Sequence, residues 1–263
     1  MQEVLDGFVR AQSDRDGEHG PVAEACMEYL ADYLLHFSDL FHDFEEFEES
    51  GLEEWESALD AHMEELLGGD IEPALDLGPL DLDQFEPEHL RDFLGWFLLR
   101  ELDGDSVAIE EYCAVLRDWL AFCGRQGWLS EVRRMDFMTV VSEMEPECIR
   151  TAKAARMLFH YVRLGSGVSP RLRGKRFARF VEGHARIFRL AGKELWLHFD
   201  SQGGHIGPVM LPEEIMSLLR EGDVLDIELG ERGDTWLIVD IGPVYPANIY
   251  VEAEEFEFPD KTS

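Results

Sequence analysis

Lysine is almost missing from this 263-residue sequence, with four residues against 19 arginines. Positive charge of either kind is outnumbered, 23 Lys+Arg to 56 Asp+Glu, for a formal net charge of −33. A surface this acidic repels DNA, RNA and anionic membranes at long range and keeps the chain in solution. The lysine deficit fits genome composition or a salt-adapted host, in which case the acidity serves solvation and implies no partner. Cysteine is scarce as well: Cys26, Cys113, Cys123 and Cys148, with no Cys-x-x-Cys pair. That spacing argues against a cysteine zinc site and a disulfide framework, and for four reduced thiols used as small core residues. Apolar runs are short, FLGWFLL being typical, and none reaches the ~20 residues of a membrane span. The opening MQEVLDGF lacks the basic start of a secretory signal. A cytoplasmic protein is expected.

Catalytic signatures are missing too. There is no Gly-rich phosphate loop, Gly-x-Ser-x-Gly elbow, His-Glu-x-x-His or paired Cys-His zinc set. No catalytic, cofactor or metal residue is assigned, and no enzyme is expected. His198, Asp200 and His205 formally make a two-His, one-carboxylate set of the kind that holds iron in some oxygenases. The surrounding strands are too few to enclose a cofactor and substrate, so a polar hairpin tip is the plainer reading. His36, Asp39 and Asp43 share a helix face, but Glu45, Glu46, Glu48 and Glu49 extend it as a solvated acidic surface. His160-Tyr-Val-Arg163 matches the His-x-x-Arg of tyrosine recombinases, yet Tyr245 and Tyr250 lie in an extended segment and not in the helix that chemistry needs.

What is present is a helical first half. Val4, Leu5, Phe8 and Val9 recur at helical spacing from Gln2 to about Gln12. A second helix spans Val22 to Glu49, with Leu30, Tyr33, Leu34 and Phe37 in one stripe. Ser50 and Glu53 form a capping box for a third that stops at Gly68-Gly69. Pro87 suits the first turn of a helix running to Leu102, apolar nearly all round. Asp105 or Ser106 caps the next, up to Gly124. Ser130 caps a shorter one to about Met144, and Glu145-Pro146 opens the last, to Leu164. Gly165 to Pro170 reads as a linker. The period then shortens to that of strands: ARIFRL, ELWLHF, IGPVML, VLDIEL and TWLIVDIG, with a short helix in PEEIMSLLREGD. The expected fold is α+β: an acidic all-helical domain (1–165), a linker (166–170), a small SH3-like or OB-like β-barrel (171–256) and a tail (257–263).

Charge reverses at the junction. Residues 150–193 hold 12 Lys+Arg and one acid, Glu182, whereas residues 1–149 hold 8 basic and 39 acidic side chains. Lys153, Arg156, His160 and Arg163 make one stripe on the last helix, read as a solvated or salt-bridged face. The denser part, Arg171, Arg173, Lys175, Arg176 and Arg179 with Phe177 interleaved, is the candidate interaction strip, with Trp196 as an apolar anchor. The sequence thus points to an interaction or adaptor module contacting a protein partner, with no membrane role. The alternative is single-strand nucleic-acid binding through the barrel, where stacking and phosphate contacts combine. A metal-dependent enzyme is the third reading.

Overall fold

The computed structural model describes residues 1–13, 20–38, 77, 80–164, 176–199, 204–233 and 235–249. The 39–49 part of the expected second helix, the expected helix from Ser50, the linker 166–170, the tail 257–263, and Asp39, Asp43, Arg171, Arg173, Lys175, Asp200 and Tyr250 lie outside the described residues. The chain separates into two compact units, Met1–Glu86 and Pro87–Ser263. It is α+β, with helices preceding a five-stranded sheet.

In the first unit, α1 (Gln2–Ser13) and α2 (Gly20–His36) pack together. The spacing that predicts their stripes also predicts their cores, since Leu5, Phe8, Leu30, Tyr33 and Leu34 are all buried. Phe37, placed in the same stripe, is 43% exposed. Just past the end of α2, the Ser38 hydroxyl donates back to the Leu34 carbonyl at 2.6 Å.

The second unit begins with a helix that changes pitch. α3 (Pro87–Asp92) runs into a π-helical segment (Phe93–Phe97) and resumes as α4 (Leu98–Glu101). Leu90, Phe93, Leu94, Phe97 and Leu98 are fully buried, so this is the central helix its composition predicts. Gly95 sits in the π segment because a Cβ there would lie 2.4 Å from the Ile249 side chain. The Cys148 thiol donates to the Leu94 carbonyl at 3.4 Å across the same contact.

Asp105 caps α5 (Ser106–Gln126), its carboxylate accepting from the Val107 and Ala108 amides. The helix passes through Gly124, the expected stop, and ends at Gly127 in the left-handed conformation, φ 76°. Gly124 serves packing instead: a Cβ there would meet Arg134 Cδ at 2.8 Å. α6 (Glu131–Arg163) is one helix of 33 residues where two were expected. Pro146 removes a backbone donor but does not break it, because Val141, Met144, Cys148 and Ala152 continue one buried face across the proline. Arg117 on α5 holds Glu145 in a two-pronged ion pair beside the same position.

All five expected strands form. β1 (Arg179–Ala191), β2 (Glu194–Phe199), β3 (Gly204–Met210), β4 (Val224–Arg232) and β5 (Thr235–Tyr245) close into a ring in the order β1-β2-β3-β5-β4. β4 pairs back onto β1, and only the β3–β5 contact is parallel. α7 (Glu213–Met216) lies between β3 and β4. Alternation fills the ring with Ala185, Ile187, Leu195, Leu197, Phe199, Ile206, Leu225 and Ile227. Ala154, Ala155 and Leu158 of α6 belong to the same core, so this helix packs into the ring.

Candidate functional site

One ion-pair cluster fixes α6 to the ring. The Arg150 guanidinium grips the fully buried Asp223 carboxylate through two hydrogen bonds, 2.7 and 2.9 Å, and also donates to the Leu218 carbonyl at 2.6 Å. Glu147 accepts from Arg150 at 2.9 Å and from Arg220. Burial opposes ionisation of Glu147, but the hydrogen bonds and charges of Arg150 and Arg220 outweigh it and hold its carboxyl below the ordinary 4.5. Burial likewise opposes the Arg150 charge, and Asp223 and Glu147 overcome it, raising that pKa. This cluster is structural, and it consumes the first arginine of the basic block.

The predicted strip is divided. Arg176 is exposed, while Phe177 lies across Gly230 of β4, where a Cβ would come within 2.4 Å of its ring. The Arg232 guanidinium also lies over the Phe177 ring, 3.9 Å from its centroid. Arg179 pairs with Glu231 at 3.4 Å and lies over Trp236. These residues seal the β1–β4 side of the ring. Trp196 is on β2, opposite Arg189 of β1. Ten residues of β1 separate Arg179 from Arg189, roughly 30 Å at ~3.3 Å per residue. The strip and its predicted anchor are two places.

A second surface forms around Trp196, on the outward face of β1, β2 and β3. Arg189 stacks its guanidinium on the Trp196 ring at 5.1 Å. Below the ring, Gly207 provides the space, since a Cβ there would be 3.0 Å from two indole carbons. The cross-strand register then lines up Arg186, His198 and His205. Phe188, 52% exposed, lies flat on the His205 imidazole with centroids 3.6 Å apart and planes 14° from parallel. His198 meets the edge of His205 at 5.4 Å. The result is a row of planar groups with two arginines among them. His198 and His205 do come together as their spacing suggests, but among the described residues no group of three His, Cys, Asp or Glu could hold a metal.

The sequence reading missed Arg186, Phe188 and Arg189 because ARIFRL was read only as a strand. The signal was there: Ala185 and Ile187 alternate with Arg186 and Phe188, which places a cation and an aromatic ring on the wet face.

The α6 stripe is exposed along its length at Lys153, Arg156, His160 and Arg163, and Arg163 stacks on Phe159 at 4.8 Å. Tyr161, beside it, donates to the Met210 carbonyl at 3.3 Å, and burial raises its pKa. Tyr245 is buried at the end of β5, which pushes its phenol up to about 12, with Asp226 adding to the shift. Among the described residues no helix is long and apolar enough to cross a membrane. Comparison with protein-family models, with curated proteins and with solved structures gives no match.

Proposed function

We propose that this is a non-enzymatic binding protein whose β1–β2–β3 face takes single-stranded nucleic acid. The observation that carries this reading is where positive charge is left unpaired. Arg91, Arg100, Arg117, Arg134, Arg150 and Arg220 each hold a carboxylate. Arg186, Arg189 and Lys193, on β1 and its turn to β2, hold none among the described residues, and neither do Lys153, Arg156, Arg163 and Arg176 elsewhere in the basic block or Arg125 on α5. Residues 148–181 contain no Asp or Glu at all, in a chain with 56 of them. Where acids are so abundant, a cation without one favours an anion from outside. Stacking platforms beside it favour one with bases, since base–aromatic stacking contributes about 1–3 kcal/mol per base.

The ring order supports the OB-like form of small barrel over the SH3-like one. In OB folds strands 2 and 3 and the adjoining loops carry oligonucleotides, which is where Trp196, His198 and His205 stand. The net charge of −33 opposes a polyanion at long range, but screening beyond ~8–10 Å leaves the local patch to decide at contact.

A protein partner is the second reading, favoured by the 54% exposure of Phe180 and 48% of Met210. Fluorescence polarisation of the full chain with labelled oligonucleotides of about 12–16 nucleotides separates the two. The nucleic-acid reading expects binding that weakens with salt, and at least a tenfold loss in a Phe188→Ala/Arg189→Ala variant. Absence of binding at low salt, or binding indifferent to both substitutions, removes it and leaves the partner reading.

A further inference from the structure

A cavity of about 220 Å³ lies between α6, the turn after α4 and β5, away from the row of planar groups. Arg156 and His160, one turn apart on α6, form one wall; Leu99, Ile241 and Pro243 are its apolar lining, and Asp103 is also at its edge. We propose that this cavity binds a nucleotide, with its phosphate on Arg156 and His160, a ribose hydroxyl on Asp103, and its base against the apolar lining.

Two opposite charges line one small space without pairing. Neither the Arg156 guanidinium nor the Asp103 carboxylate has a hydrogen bond or ion pair among the described residues. Asp103 is held at φ 51°, the left-handed region that a non-glycine residue seldom occupies. Gly104 follows at φ 77°, buried, where a Cβ would be crowded at 3.1 Å from the Ala152 carbonyl oxygen. The turn is thus pressed onto α6, with Asp103 at the cavity edge.

The ligand class follows from using every group. A simple anion would satisfy Arg156 and be repelled by Asp103. An apolar molecule would desolvate both charges for no return. A nucleotide offers phosphate oxygens for the arginine, which suits bidentate phosphate contact, hydroxyl donors for the carboxylate, and a flat body for the lining. The volume is below the about 300–1,000 Å³ of drug-sized pockets, which limits the fit to a single nucleotide that partly protrudes.

Calorimetric titration of the full chain with AMP, adenosine and inorganic phosphate at up to about 1 mM tests the assignment. AMP is expected to bind at least tenfold more tightly than either fragment. Arg156→Ala should weaken AMP at least tenfold, and Asp103→Asn, which keeps the left-handed backbone, should weaken it several-fold. Both side chains are exposed and hold no partner among the described residues, so neither variant threatens the fold. No heat with AMP, phosphate binding as tightly as AMP, or AMP affinity unchanged by Arg156→Ala overturns the proposal. Phe188→Ala/Arg189→Ala should leave AMP binding intact, so failure of the single-strand reading and failure of this one are told apart. A 5′-phosphorylated oligonucleotide that binds this double variant, where the unphosphorylated one does not, would assign the cavity to a strand terminus instead of a free nucleotide.

Discussion

Arg150 and Asp223 are the pair on which the second unit's assembly turns. Breaking a buried ion pair by removing one partner strands the other charge, a loss of about 3–5 kcal/mol. Arg150→Ala should therefore unfold the chain at markedly lower urea, and a midpoint within error of the parent would refute that role. Glu147 adds a pH dependence. Its folded pKa is depressed, so its contribution is full above the ordinary 4.5 and is lost as pH falls through the folded value. Glu147→Gln should be less stable at neutral pH and flatter in stability below about pH 5; parallel pH profiles for the two proteins would contradict this. The thiols make a third residue-scale test. Burial pushes Cys113 and Cys123 up to about 12 and Cys148 higher than an ordinary thiol. In the native protein these three should be inert to a thiol reagent at pH 8 and react only after denaturation.

At the scale of elements, the sequence made much of the architecture legible. Hydrophobic period separated helices from strands, and Asp105 and Ser130 were readable as caps because their side chains bond amides two and three residues on. Glycine and proline were less readable, since their meaning depends on what approaches them. Gly124 looks like a breaker and Gly95 passes inside an apolar helix, yet each stands where a Cβ would displace a neighbouring side chain. Pro146 looks like a helix start, yet the faces on both sides of it are already buried. Gly127 is the opposite case: nothing lies within 4 Å of its would-be Cβ, so only its φ of 76° needs glycine. Gly127→Ala should then cost about 1 kcal/mol by thermal melting, from backbone strain alone. A neutral substitution would argue against that termination. Gly95→Ala, which must displace Ile249, should cost more.

At the scale of the whole molecule, the basic block is legible in sequence but its use is not. Linear order puts Arg150, Arg156, Arg179 and Arg189 in one run. Folding sends the first into a buried lock, the second to a cavity, the third onto a sealing ion pair and the fourth onto Trp196. No period or spacing distinguishes these fates, because each depends on the partner that the ring brings opposite. The row of Trp196, His198, His205 and Phe188 was likewise hidden, since it needs three strands in register.

A single strand lying along this row would shield it from solvent. Hydrogen–deuterium exchange of the full chain with saturating oligonucleotide tests it most directly. Slowed exchange is expected, confined to peptides covering residues 185–199 and 204–210. Unchanged exchange there, with protection only in α1, α2 or α5, would contradict it.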